Sequence, residues 1–237
     1  MHSYFIWKNQ DSRDWGIYLK APAPIIRGKE RVQNVTIPGH AGAYHLTEGD
    51  GIYDTYLQTL TARIPQAAID RGALKWLSGD GYITFSTLAD KRQKARLINQ
   101  VQLNKLSYNL GWFEGTLAWE CQPLKEMLYE STDTILSAGT TLYNIGDVPE
   151  KPLITVTGSG DFALTVGNAV FTITGITAEQ AGAVIDCDEC EVLTPAGDLI
   201  TNQSAGEFPE FAVGSNTVSW TGASVTGVAA LRRQRWV

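Results

Sequence analysis

The chain has 237 residues, of which 43% are hydrophobic and 19% are charged, so it fits one or two globular domains and excludes long disorder. Charge is uneven: residues 144–237 hold 4 Lys+Arg against 11 Asp+Glu, which disfavours nucleic-acid binding by that half. The sequence lacks a membrane-length apolar run and a signal-peptide pattern, and 3 cysteines argue against a secreted disulfide framework, so cytoplasmic synthesis is expected.

The first part of the chain alternates as β-strands do, with one helix among them. Strands are predicted over residues 5–8, 15–19, 32–37, 56–64, 82–86, 95–103 and 112–121. The helix is predicted over 66–77, where Pro65 can precede the first turn and Ile69, Ala73 and Trp76 share a face. In the last strand, Leu117, Trp119 and Cys121 are expected in a core.

The second part reads as short strands between regular turns, which is typical of a β-sandwich. Residues 131–139 are predicted to be a linker or a loosely held strand, so the expected domains are 1–140 and 141–237. Strands are predicted over 154–156, 162–166, 170–174, 184–193, 217–220 and 228–237. Turns are predicted at 158–160, 167–168 and 195–198, and a hairpin over 204–220.

The order of glycines, prolines and asparagines in this second part resembles the phage distal tail protein family (Dit). The residues that carry the resemblance are Asn144, Gly146, Pro152, Gly158, Gly160, Asp186, Cys187, Gly206, Phe208, Pro209, Gly214 and Asn216. Earlier segments follow the same layout: Trp15-Gly-Ile, the turn at 38–42, Trp76-Leu77 and the Trp119 to Pro123 stretch. His40 and Ala41 depart from the family's turn, and residues 88–94 lack its paired tyrosines.

The resemblance implies a mainly β protein, with an N-terminal ring-forming domain that has one α-helix and a C-terminal galectin-like β-sandwich. It implies a virion structural protein of a phage or prophage, located at the tail tip and made in the host cytoplasm. Six copies would form a ring that joins the tail tube to the baseplate, with DNA passing through without specific binding. The implied partners are the major tail tube protein, a tail-associated fibre or lysin protein and, in some members, receptor-binding proteins.

The sequence supports a catalytic, metal-binding or cofactor-binding role less well than a structural role. The Cys187-x-x-Cys190 pattern lies in a predicted strand, where the two thiols would point to opposite faces, and residues 144–237 contain no histidine to complete a zinc site. We therefore expect Cys187 to be a small buried residue and predict no enzyme activity, metal or cofactor. The acids from Asp186 to Glu191 could hold calcium, but an exposed acidic strand is the preferred interpretation.

Four further expectations concern surfaces. A carbohydrate-binding adhesion module is the alternative function, although Trp220, its candidate platform, alternates with Val218 and is expected in the core. The basic run at 91–96 is expected to face away from the ring's lumen, because phosphate contacts would hold DNA. The terminal arginines either pair with acids or form a solvated tail. The histidines His2, His40 and His45 are expected at the surface or in an interface.

Overall fold

The computed structural model describes residues 3–47, 52–106 and 111–237. It consists of two compact units, Met1–Leu128 together with Val237, and Tyr129–Trp236. This division lies earlier than the boundary predicted after residue 140, because a strand at Thr132–Ile135 pairs within the second unit. Among the described residues, no helix has the length and apolar character that crossing a membrane requires.

The first unit is built on one antiparallel sheet. Its strands run in the order β2-β1-β7-β8-β10-β6-β3, β9 also pairs with β10, and β4 and β5 form a separate two-stranded sheet. The strands are β1 (Phe5–Trp7), β2 (Gln10–Asp11), β3 (Tyr18–Leu19), β4 (Val32–Val35), β5 (Tyr44–Thr47), β6 (Tyr56–Pro65), β7 (Asp80–Phe85), β8 (Lys91–Leu97), β9 (Leu103–Lys105) and β10 (Trp112–Met127).

The core of the first unit gathers around β10. Leu117, Trp119 and Cys121 are fully buried, as their alternation predicted. The Trp119 ring lies 5.2 Å from the Phe5 ring and 5.9 Å from the Phe85 ring, both in edge-on geometry. Such aromatic contacts add to the apolar area that the strand buries. Period-two alternation was therefore sufficient to locate this core.

The prediction of one continuous helix over 66–77 is wrong. The structure has two short helices, α1 (Gln66–Asp70) and α2 (Ala73–Trp76). Gly72 separates them because its φ of 93° is left-handed, a conformation that ends an α-helix. Within the described ranges there are also 3-10 helices at Ser12–Trp15, Ser86–Leu88 and Thr201–Gln203.

The second unit consists of two antiparallel sheets that share β13. Their orders are β11-β19-β13-β15-β16 and β12-β18-β13-β14-β17. The strands of these two sheets are β11 (Thr132–Ile135), β12 (Thr140–Asn144), β13 (Leu153–Val166), β14 (Ala169–Ile176), β15 (Gly182–Asp186), β16 (Glu191–Leu193), β17 (Ser204–Ala205), β18 (Gly214–Thr221) and β19 (Ser224–Leu231). The short strand β20 (Arg235–Trp236) follows and is in neither of them.

The shared strand β13 corrects the predicted turn at 158–160. That segment is a bend inside one continuous strand, with register shifts beside Gly158 and Gly160. The residues before the bend pair with β15 and β19, and those after it pair with β14 and β18. The bend thus moves one strand from one sheet of the sandwich to the other, which places apolar residues of both sheets in one core.

Two other predictions in the second unit are wrong. The strand predicted over 184–193 is a hairpin, with a turn at 187–190 between β15 and β16. The hairpin predicted over 204–220 does not form, because β17 pairs with β14 whereas β18 pairs with β12 and β13. The segment at 131–139, predicted to be a linker or a loosely held strand, contains the strand β11, which contributes Ile135, 1% exposed, to the core.

Candidate assembly surface

The β4–β5 hairpin is amphipathic and forms a two-stranded sheet of its own. Its register sets Val35 opposite Tyr44 and Gln33 opposite Leu46, so these four side chains share one face. Tyr44 is 51% exposed and Leu46 is 54% exposed. Ile37, two residues beyond Val35, is 46% exposed. We call Val35, Ile37, Tyr44 and Leu46 the hairpin face.

The opposite side of the hairpin carries Asn34, His45 and Thr47 together with one apolar residue, the half-buried Val32. Asn34 and His45 are cross-strand partners, and the Asn34 Oδ1 and His45 Nδ1 atoms are in hydrogen-bond contact. His40, in the turn, places its ring 6.0 Å from that of Tyr44. His40 and His45 are exposed, as predicted, whereas His2 lies outside the described residues. A two-stranded sheet is marginally stable alone, so an exposed apolar face on one favours burial against another surface.

Four of the residues that carry the family resemblance meet at one end of the second unit. Asn144 is buried, its Nδ2 donates to the carbonyl oxygen of Phe211 at 3.1 Å, and its Oδ1 accepts from the Gly146 amide at 2.7 Å. Asn144 is also the register partner of Gly214, and the Asn216 Nδ2 donates to the Gly214 carbonyl oxygen at 3.1 Å. These side-chain amides fix the path of two backbone segments and leave no reactive group.

The other residues of the resemblance lie apart from that cluster and shape the backbone. The Phe208 and Phe171 rings pack with centroids 5.0 Å apart, beside a buried Pro209. Gly206 has a φ of 104°, a left-handed conformation that favours glycine. The residues outside the cluster are Pro152, Gly158, Gly160, Asp186, Cys187, Gly206, Phe208 and Pro209. The motif therefore describes a fold and not a catalytic site.

The terminal arginines pair with acids of their own unit. They therefore do not form a solvated tail. Arg232 is 4% exposed and Glu150 is 0% exposed, with Arg232 Nη2 2.5 Å from Glu150 Oε1. Arg232 Nη1 also lies 3.0 Å from Asp133 Oδ2. The hydrogen bonds to Glu150 and Asp133 raise the pKa of Arg232 against the opposing effect of its burial, which is the larger single cause. Sequence reasoning missed both acids.

Two more pairs hold the turn between β15 and β16. Arg233 donates to both carboxylate oxygens of Asp186, at 2.6 and 2.9 Å, and Arg235 donates to both oxygens of Asp188, at 3.1 and 2.6 Å. These hydrogen bonds hold the pKa of each carboxyl below its ordinary value. The interpretation as an exposed acidic strand is therefore wrong for these two acids. The described ranges contain no cluster of metal-ligating side chains.

The two neighbouring cysteines lie in a turn and differ in environment. Cys187 is buried, as predicted, and burial raises the pKa of its thiol to about 12. Cys190 is exposed, and its Sγ lies 3.8 Å from the Cys187 carbonyl oxygen. The prediction that the pair sits in a strand is wrong because residues 187–190 form a turn.

Several side chains considered for sugar and DNA binding contact other residues of the chain. Trp220 is half-buried against the core, and its Nε1 donates to the Ile135 carbonyl oxygen at 2.7 Å. In β8, the Arg92 guanidinium lies 4.5 Å from the Tyr82 ring centroid, and Arg96 faces Asp80 at 3.7 Å. The orientation of this basic run toward a ring lumen stays a prediction.

The comparisons with known proteins identify the fold. No family model and no curated protein matches the sequence. A solved structure that does match is that of SPP1 Dit, described as a paradigm of the hub adsorption apparatus in phages that infect Gram-positive bacteria. The match has a TM-score of 0.75 and 15% sequence identity, and it covers 100% of both chains. The chain therefore has the mainly β fold of a phage distal tail protein along its whole length.

Proposed function

We propose that this chain is the distal tail protein of a phage or prophage, a structural hub at the tail tip. The observation that carries the proposal is the full-length fold match to SPP1 Dit at a TM-score of 0.75. The order of the motif residues, from Asn144 to Asn216, supports the same role independently of overall identity. The role is one of assembly, without catalysis, a cofactor or membrane insertion.

The hub acts as a ring of six copies, and the hairpin face is its contact with a second copy. Support comes from the four exposed apolar side chains of this face. Burying them against a neighbouring copy would remove apolar surface from water and stabilise the hairpin at the same time. A heterologous contact of this kind closes into a ring when the rotation between copies permits it.

In this proposal the ring joins the major tail tube protein to a tail-associated fibre or lysin protein, and receptor-binding proteins can attach. Genomic DNA passes through the centre without specific contacts. The protein is made in the host cytoplasm and is incorporated into the virion.

Native mass spectrometry of the full chain, alone and co-expressed with its tail tube protein, tests the proposal. We expect a six-copy species in at least one condition. The variant Tyr44→Ser/Leu46→Ser should lose it, whereas Leu199→Ser, which alters a side chain that is 62% exposed in the second unit, should keep it. A monomer in both conditions would contradict the ring. A hexamer that survives the hairpin variant would contradict only the assigned interface.

A further inference from the structure

A cleft of about 480 Å³ opens in the second unit. It is bordered by β13, β14, the turn at 187–190 and the loop at 206–210. Its solvent-accessible apolar lining comes from the half-buried Val166 and Phe208 and the exposed Ala169, with the buried core residues Leu164 and Phe171 beneath them. A space of this size matches the range of about 300–1,000 Å³ that specific binding sites occupy. An apolar surface is therefore open on this side of the sandwich.

The rim of the cleft is acidic. Glu207 and Glu210 line it, and both are exposed. Lys151 lies 3.7 Å from Glu210, a separation at which an exposed ion pair contributes little. Within the described ranges, Glu207 has no ion-pair partner at salt-bridge distance. An apolar floor beneath a carboxylate rim favours a ligand that is itself apolar at its centre and cationic at its edges.

The charge around the cleft strengthens that preference. All four of the Lys and Arg residues in 144–237 already pair with acids of the same unit. With 4 Lys+Arg against 11 Asp+Glu, this stretch is net negative. A field of one sign over a cleft raises the local concentration of oppositely charged ligands. Anionic ligands are disfavoured for the same reason.

We propose that this cleft binds a protein segment in which an aliphatic or aromatic side chain is flanked by lysine or arginine. The apolar side chain packs against Val166, Ala169 and Phe208, and the cations meet Glu207 and Glu210. The site lies within one copy of the chain. Its occupancy therefore does not depend on ring formation, and a failure here would leave the proposed hub intact.

Cys190 provides a native handle at the site. It lines the cleft and is exposed, whereas Cys121 and Cys187 are buried. A peptide Lys-Lys-Trp-Lys-Lys with a terminal cysteine, capped as a mixed disulfide with a small thiol, serves as the probe. The Cys190 thiolate attacks the peptide's sulfur, the small thiol leaves, and one disulfide replaces another. Intact mass of the full chain in a thiol buffer gives the equilibrium fraction labelled.

The expected result is about tenfold greater labelling by the tryptophan peptide than by a matched peptide with serine at the centre. Ala169→Trp, which fills the cleft from an exposed position on its border, should abolish that preference. A small thiol reagent should still modify Cys190 in this variant at the native rate, which shows that the thiol stays accessible.

Charge is tested with a second pair of variants. Glu207→Lys should weaken labelling by the lysine-flanked peptide severalfold, whereas Glu179→Lys, at an exposed acid that does not line the cleft, should not. Equal labelling by the tryptophan and serine peptides would overturn the proposal. A tryptophan preference that persists in Ala169→Trp would also overturn it. Equal effects of Glu207→Lys and Glu179→Lys would do the same, because the charge attraction would then be unspecific.

Discussion

At the residue scale, the pair of Arg232 and Glu150 combines deep burial with complete pairing. Both side chains are almost inaccessible, and Arg232 also donates to the Tyr143 carbonyl oxygen at 3.1 Å. A buried ion pair contributes modestly as a unit because its Coulomb energy offsets the cost of desolvation. Removing one partner is different, because the remaining charge stays buried without compensation.

Arg232→Met should therefore lower the free energy of unfolding by about 3–5 kcal/mol, measured by urea denaturation. The double variant Arg232→Met/Glu150→Leu should recover at least about 1 kcal/mol of this loss, since it leaves no buried carboxylate. A double variant that is less stable than the single one would show that the pair contributes net stability beyond avoiding an unpaired charge.

The pairing of Arg233 with Asp186 predicts a pH dependence. The lowered pKa of Asp186 means that its stabilising effect is present above the ordinary value of 3.8 and is lost as pH falls through the folded-state pKa. Asp186→Asn should cost about 1–2 kcal/mol at pH 7, and the difference from the native chain should shrink only below about pH 4. Thermal unfolding across pH gives both quantities.

The control for that series is Glu189→Gln, which removes an exposed acid from the same turn. Its stability should follow the native curve at every pH. A stability difference for Asp186→Asn that stayed constant down to pH 2 would contradict the assigned role of the carboxylate charge.

At the element scale, the bend in β13 holds the sandwich together, and two glycines within it differ in their surroundings. Gly158 has a φ of 126°, and a Cβ there would collide with the Ser224 backbone oxygen. Gly160 has a φ of 87°, but a Cβ there would meet nothing within 4 Å. Gly158→Ala should cost more than about 3 kcal/mol and Gly160→Ala about 1 kcal/mol, as measured by chemical denaturation. Equal costs would show that the close approach to Ser224 is unimportant.

The sequence predicts an element well where successive alternate residues are buried, as from Gly115 to Cys121 in β10, although β10 continues past the predicted end to Met127. Prediction from local sequence patterns fails where one short pattern is compatible with two structures. The helical spacing of the sequence continues through Gly72, but the left-handed conformation of this glycine ends the helix. The alternation over 184–193 is equally consistent with a strand and with a hairpin, and only the pairing of Asp186 with Glu191 decides.

At the scale of the whole molecule, the fold was more predictable than its candidate surfaces. Glycine, proline and asparagine positions restrict the backbone, so their order indicated a Dit-like fold although identity to SPP1 Dit is 15%. The hairpin face and the cleft were not predictable, because each consists of side chains that the tertiary fold leaves uncovered, and local sequence does not show which these are. Likewise, Glu150 and Asp133 lie 82 and 99 positions from Arg232, beyond any local pattern.

The division of the chain yields a last prediction. The strand β11 supplies Ile135 to the core, the carbonyl oxygen that accepts from Trp220, and Asp133 for Arg232. A fragment of residues 129–236 should unfold cooperatively, whereas 141–236 should lose several kcal/mol, since deleting one large buried aliphatic side chain alone costs about 2–5 kcal/mol. Near-ultraviolet circular dichroism during thermal unfolding distinguishes them. Equal thermal midpoints for the two fragments would show that β11 is not needed for stability and that the domain boundary lies at residue 140.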